Sequence, residues 1–375
     1  MDMNDEQFLY KSSRYIGVKL NESTCLNVKR ALSSETYYTN SRGWRVRSAD
    51  ISKPFESDIA IAGCSWALGT GVNYEDSIVG LLEDYLQIKI PNLGVGSASF
   101  IQLLRYVETE INFIKPKLLL VPYGSWLVDR SAKERSTRMH YRPILKKNLQ
   151  KNQLEIIEPK FPPNFISNHY TRINRRFSVP GKIVKREINN WPRSFQLTSY
   201  KFPTFIKSYL STLEFIGKIY AGYPINLIKK ILNLSSHTRL NVTRLEDRKL
   251  ILDYSLNKLT ELCKKHHTKL IICHVYEYSG QGFDFRKKYI ESDKQELIRL
   301  SKNLNFTYHD WTSMEHAFVS YLSQKGLQMK DYLGHVHWED NNHPNQTGYK
   351  LIANTLYPIL REELQKLTGT ASERY

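Results

Sequence analysis

Short apolar runs alternate with stretches whose apolar residues recur every three to four positions, between residues 58 and 130 and again from 245 to 365. Alternation of that kind predicts βα units and a parallel sheet. Asp58–Ser65 (DIAIAGCS) reads as a buried strand, followed by a helix with Val79, Leu82 and Leu86 on one face and Asn73 as its expected cap. Ile88–Gly96 predicts a second strand, Phe100, Leu103, Leu104, Val107, Ile111 and Ile114 a helix, and Lys117–Gly124 a third strand. The pattern then breaks for about 120 residues. It resumes with a helix near Leu245–His267, a strand at Lys269–Tyr276, a helix near Asp293–Leu304 and a strand at Phe306–Trp311. A closing helix runs from Gln346 to about Leu364. The expected fold is therefore α/β, a three-layer flavodoxin-like parallel sheet of about five strands. The expected organisation is an N-terminal arm over 1–54, a discontinuous domain of 55–130 and 245–367, and an insert over 131–244 after the third strand.

Charge sharpens the picture of that insert. The chain of 375 residues carries 54 basic and 37 acidic side chains, a net charge of +17. Residues 131–250 hold 24 of the basic and seven of the acidic ones, and the remainder has 30 of each, so one segment carries the whole excess. Such a block is either a solvated surface or a face for something anionic, such as a membrane leaflet, an acidic glycan or an acidic carrier protein. Pieces such as NHYTRINRRF place Arg172, Arg175 and Arg176 among aromatics, and Phe205–Leu234 patterns as an interfacial or core-packing helix broken at Pro224. No nucleic-acid motif accompanies them, so a nucleic-acid partner is not expected. The four cysteines form no CxxC pair, no apolar run is long enough to span a bilayer, and the first ten residues are acidic and polar. The expectation is a cytoplasmic protein, peripheral at the membrane surface if the basic insert binds there.

In open parallel sheets, reactive groups lie beyond the carboxyl ends of the strands. Three such ends carry chemistry. Ser65 leaves the first strand where backbone N–H groups of the next turn are unpaired, a suitable place for a nucleophile whose oxyanion needs donors. Gly94 and Gly96 would let a backbone N–H approach a substrate closely. Asp340 and His343, three apart, can set a carboxylate against one imidazole nitrogen and leave the other for Ser65.

These residues resemble the blocks of the SGNH (GDSL-type) hydrolases, in order as well as locally. GCSWALGTGV corresponds to the first block with Ser65 as nucleophile, and NLGVGS to the second with Gly96 as an oxyanion donor. DNNHPNQTGY corresponds to the D-x-x-H-P-N run, with Asp340 and His343 completing the triad. Tyr38–Arg47 is similar to the lead-in before the first block in bacterial members, and the resemblance covers about 215 residues. Two departures stand out. Cys64 replaces the usual Asp, at a position expected to face away from Ser65, so a nucleophilic Cys64 is not favoured. The third block lacks the Asn that the family uses as an oxyanion donor and reads YGSWLVDR. Either Ser125, Trp126 or Arg130 substitutes or the chain is a slow or inactive member, with Arg130, Arg175 and Arg176 also candidates for substrate binding. His335, His337, His343 and Asp340 could instead hold a metal, but the D-x-x-H-P-N run already accounts for two of them. No metal or cofactor is expected. The resemblance implies a serine esterase acting on an acyl or acetyl ester of a carbohydrate or lipid. The alternatives are an O-acyltransferase with the same triad and a non-catalytic binding protein.

Overall fold

In a computed structural model, described over residues 9–13, 15–30, 32–50, 55–134, 142–159, 237–277, 284–338 and 343–368, the expected strands come together in one sheet. The strands are β1 (Tyr10–Ser13), β2 (Gly17–Leu20), β3 (Cys25–Lys29), β4 (Ser34–Thr39), β5 (Arg45–Val46), β6 (Ile59–Gly63), β7 (Asn92–Gly94) and β8 (Leu118–Tyr123). They continue with β9 (Ile144–Asn148), β10 (Gln153–Ile157), β11 (His237–Arg239), β12 (Lys269–His274) and β13 (Thr307–His309). The large sheet has the order β13-β12-β8-β6-β7-β5-β4-β3. Its first five members pair in parallel. Numbered among themselves along the chain they run 5-4-3-1-2, the flavodoxin-like order read from its far edge. β6 and β8 are buried along their full length, as a central parallel strand covered on both faces must be.

The helices are α1 (Ser65–Leu68), α2 (Ile78–Leu86), α3 (Phe100–Ile114), α4 (Trp126–Ser131), α5 (Leu245–Lys265), α6 (Asp284–Leu304), α7 (Thr312–Gln324) and α8 (Gln346–Thr368). They fall into two packed groups: α8 lies against α2 and α7, while α5 lies against α3, α4 and α6. Right-handed crossovers put such groups on opposite faces of the sheet, which makes the three layers.

Several details differ from the sequence expectation. Residues 25–46 of the expected arm are strands that extend the sheet antiparallel from β7, starting at the Arg45–Asn92 pair. Ser77, not Asn73, caps α2: its hydroxyl accepts from the Gly80 N–H at 3.2 Å, while Asn73 Oδ1 accepts from the Thr36 N–H. A 3-10 turn at Tyr74–Asp76 intervenes and shifts the helix start. α6 begins at Asp284, nine residues before the apolar pattern, and α7 has no counterpart in the sequence expectation.

β10, β9 and β11 form a separate three-stranded sheet, and β1 and β2 a hairpin. By contact the chain divides into one unit of Met1–Lys146, Leu154–Pro163 and Arg239–Tyr375, and a second of Lys147–Gln153 and Asn164–Thr238. Most of the second unit, with Arg172, Arg175, Arg176 and the Phe205–Leu234 segment, lies outside the described residues. No helix among the described residues is long and apolar enough to cross a membrane.

Candidate active site

The sheet reverses its winding between β6 and β8, and crevices at such switch points are where open α/β sheets bind ligands. Ser65 stands at that point. β6 ends at Gly63, paired in register with Gly94 of β7. The short helix α1 then turns directly over β7: a Cβ on Gly94 would lie 2.2 Å from the Leu68 backbone nitrogen. Only glycine permits this approach.

The turn carrying Ser65 is fixed from below by side chains that contribute no chemistry. Asn92 Nδ2 donates to Ala67 O at 3.0 Å. The guanidinium of buried Arg45 donates to Leu68 O (2.9 Å), Gly69 O (2.6 Å) and Val72 O (2.7 Å), and stacks 4.0 Å over the Tyr37 ring. Cationic donors on the last carbonyls of a helix satisfy groups that would otherwise be orphaned. Glu35, fully buried, accepts from the Gly71 N–H and from Arg30. The β4–β5 extension is thus the support of the serine turn.

His343 reaches Ser65 from the other end of the chain. Its Nε2 lies 2.8 Å from Ser65 Oγ, across 278 residues of sequence. The segment holding it is tied back on itself. Trp338 N–H donates to His343 O (2.8 Å), Asn345 N–H to Val336 O (3.0 Å), and Asn345 Oδ1 accepts from the Gly348 N–H (3.1 Å). Tyr349 Oη donates to Thr70 O at 3.2 Å, joining the start of α8 to the turn after α1. The H-P-N run therefore places the imidazole through its own turn. Asp340 lies outside the described residues.

The other predicted residues are placed as follows. Gly96 follows β7, and a Cβ there would meet the Tyr10 hydroxyl at 2.2 Å, so the β1 strand covers this loop. Ser125 follows β8, but its backbone N–H and its hydroxyl (2.6 Å) both donate to the Glu277 carboxylate. Trp126 Nε1 donates to Cys64 Sγ at 3.2 Å and its ring packs on Trp66. Cys64 thus faces Trp126 while Ser65 faces His343. Arg130 donates to Ala98 O at 3.3 Å. In this arrangement neither Ser125 nor Trp126 has its donor turned to Ser65. Nothing local in the sequence marks Glu277, 152 residues from Ser125, as the acceptor.

The Ser125 loop rests on a buried ion-pair network. Arg248 donates to Asp293 through Nε (3.0 Å) and Nη2, to Asp129 through Nη1, and to Ser125 O (3.2 Å). Tyr123 Oη donates to Asp293 at 2.7 Å. Burial alone would lower the Arg248 pKa, but the hydrogen bonds and charge of Asp293 outweigh it and hold the guanidinium protonated. Arg248→Met would leave Asp293 buried and uncompensated. The expected cost is about 3–5 kcal/mol of stability, read from urea midpoints; a loss under about 1 kcal/mol would contradict the network's role.

His337 lies beside the site but is not ligand-like. It is buried among the rings of Trp66, Phe318 and Tyr332, with Nδ1 unbonded. Among the described residues no three His, Cys, Asp or Glu side chains cluster as a metal site would require. Burial, and then the nearby His343, push the His337 pKa down to about 3. An unfolded histidine titrates near 6.5, so between about pH 6.5 and 3 the unfolded chain binds a proton that the folded chain refuses. Stability should therefore fall on acidification through that window, by up to about 1.4 kcal/mol per pH unit from this group. Urea midpoints at pH 7 and 5 should fall less in His337→Leu than in wild type; equal slopes would show that His337 does not titrate this way.

The chain matches no family model and no curated protein. Solved structures do resemble it. The psychrotrophic esterase EstA from Pseudoalteromonas sp. is 12% identical, with 83% of this chain and 99% of that one covered and a TM-score of 0.39. A GDSL-like lipase from Bacteroides thetaiotaomicron VPI-5482 is 10% identical, with 84% and 94% covered and a TM-score of 0.37. A mutant of Axe2, an acetyl-xylooligosaccharide esterase from Geobacillus Stearmophilus, is 12% identical, with 81% and 93% covered and a TM-score of 0.37.

Proposed function

We propose that this chain is a serine ester hydrolase of the SGNH type, removing an acyl or acetyl group from a carbohydrate or lipid ester. One observation carries the reading: Ser65 Oγ and His343 Nε2 lie 2.8 Å apart at the switch point of the sheet. A hydroxyl is a weak nucleophile at neutral pH until a base within hydrogen-bond reach takes its proton. With the ring proton on Nδ1, His343 Nε2 accepts the Ser65 hydroxyl. As Oγ attacks the ester carbonyl, the proton passes to Nε2 and the carbonyl oxygen becomes an oxyanion. The tetrahedral intermediate collapses, and the imidazolium returns the proton to the departing alcohol. Water then attacks the acyl-serine with His343 again as base, releasing the acid and restoring the serine. Asp340, three residues before His343, is assigned the carboxylate that orients the imidazole.

The oxyanion is assigned to the N–H groups of Ser65, at the first position of α1, and of Gly96 on the adjoining loop. Ser125, Trp126 and Arg130 donate to Glu277, Cys64 and Ala98 O, so none of them is assigned the side-chain donor that the family draws from its third block. A missing donor of this kind costs about 2.7–4 kcal/mol of transition-state stabilisation, so turnover is expected to be slow. For the basic insert we keep an anionic membrane surface or acidic carrier as partner, through Arg175 and Arg176, with the enzyme in the cytoplasm. The test is incubation with an aryl acetate, a rapid quench and mass spectrometry. Acetyl on the peptide containing Ser65 is expected, and aryl acetate turnover with no acyl on that peptide would refute the nucleophile. Adding a sugar alcohol separates hydrolysis, which releases acetate, from transfer, which acetylates the sugar.

A further inference from the structure

Three buried arginines among the described residues differ in how they are satisfied. Arg248 has Asp293 and Asp129. Arg45 has four carbonyl acceptors and an aromatic face. Arg142 has neither. Its side chain is 3% exposed, its Nε has no hydrogen-bond partner, and Nη1 reaches only Ser97 O at 3.3 Å. A guanidinium carries five N–H donors, and a buried cation without a counter-charge is costly. The nearest charge makes matters worse: burial pushes the Arg142 pKa down to about 9, and Arg130 adds repulsion to that. Arg130 in turn donates to Ala98 O at 3.3 Å. No carboxylate pairs with either among the described residues, and residues 135–141 contain no acid.

The two side chains meet consecutive carbonyls of the loop that starts at Gly96, one strand away from Ser65. Two guanidinium groups therefore meet one loop, and among the described residues no carboxylate pairs with either. We propose that Arg142 and Arg130 form a subsite for an anionic oxygen group, a carboxylate or a phosphate, carried by the ester on which Ser65 acts. The subsite deepens the esterase reading by naming a substrate class, an acidic ester. Guanidinium forks suit both groups because they match two oxygens at once.

The experiment separates binding from turnover, so the subsite can fail while the esterase stands, or the reverse. Titration calorimetry on the full-length Ser65→Ala variant, with inorganic phosphate in one arm and succinate in the other, reads the subsite without chemistry. Binding is expected in at least one arm, and the tighter arm names the group. Arg142→Met and Arg130→Met, each added to that variant, should weaken it about tenfold or more, the loss of a charge-assisted hydrogen bond. Arg142→Met should also keep or raise Tm, because it removes an uncompensated buried charge; a structural arginine would lower it. In the active enzyme, an aryl hemisuccinate should exceed a neutral aryl butyrate in kcat/KM, and Arg130→Met should erase that preference. Absence of binding in both arms would overturn the proposal. So would affinities unchanged in Arg130→Met, the variant that decides the matter if Arg142→Met fails to fold.

Discussion

Ser65→Ala should reduce kcat/KM for short-chain aryl esters by about four orders of magnitude or more, some 5.5 kcal/mol of transition-state stabilisation. The loss is large because the covalent route disappears and only binding and the oxyanion donors remain. Stability should hardly change. Ser65 is buried and its Oγ bonds one imidazole, and one such hydrogen bond contributes about 1 kcal/mol. A stable variant with comparable kcat would remove Ser65 from the chemistry, and the reading with it.

His343→Ala should be about as damaging. Nucleophile and base act as one unit, so removing both costs little more than removing either. Kinetics of Ser65→Ala, His343→Ala and the double variant test this directly; additive losses would mean that the 2.8 Å contact is not catalytic. In the wild type, activity should rise between about pH 5 and 8, as a base that works unprotonated requires. A rate that fell over that range would contradict His343 as the base.

The parts of the fold that were legible in the sequence are those buried on both faces. DIAIAGCS, KLLLVPYG and KLIICHVY are near-continuous apolar runs because β6, β8 and β12 are interior parallel strands. The β3–β5 extension hides itself. β3 has one buried residue in five, and β4 alternates with a fully buried Glu35 among its inward positions. Buried Glu35 and Arg45 look like surface charges in a linear sequence; the carbonyls of the α1 turn, 23 to 27 residues from Arg45, accept from Arg45, and the Gly71 N–H and Arg30 donate to Glu35. α7 buries just Met314, Phe318 and Leu322, a single narrow stripe that a short segment does not distinguish from a loop.

The site divides in the same way. The positions of Ser65, Gly96 and His343 are legible because each sits at a strand end or in a turn whose residues are local: a glycine, a proline, a capping asparagine. The fate of Ser125 and Trp126 is not, since their partners Glu277 and Cys64 come from other strand ends. Arg142 is one of 24 basic residues in a surplus that reads as a surface, and it differs from Arg248, buried in the same surplus, in having no carboxylate partner among the described residues.

Reaction of the full-length protein with a fluorophosphonate probe tests the assignment of an activated serine most directly, because an unactivated hydroxyl does not displace fluoride from phosphorus at a useful rate. Stoichiometric phosphonylation of Ser65 is expected in the wild type, strong suppression in His343→Ala, and none in Ser65→Ala. Folded wild-type protein that stays unlabelled, or that is labelled at a residue other than Ser65, would contradict it.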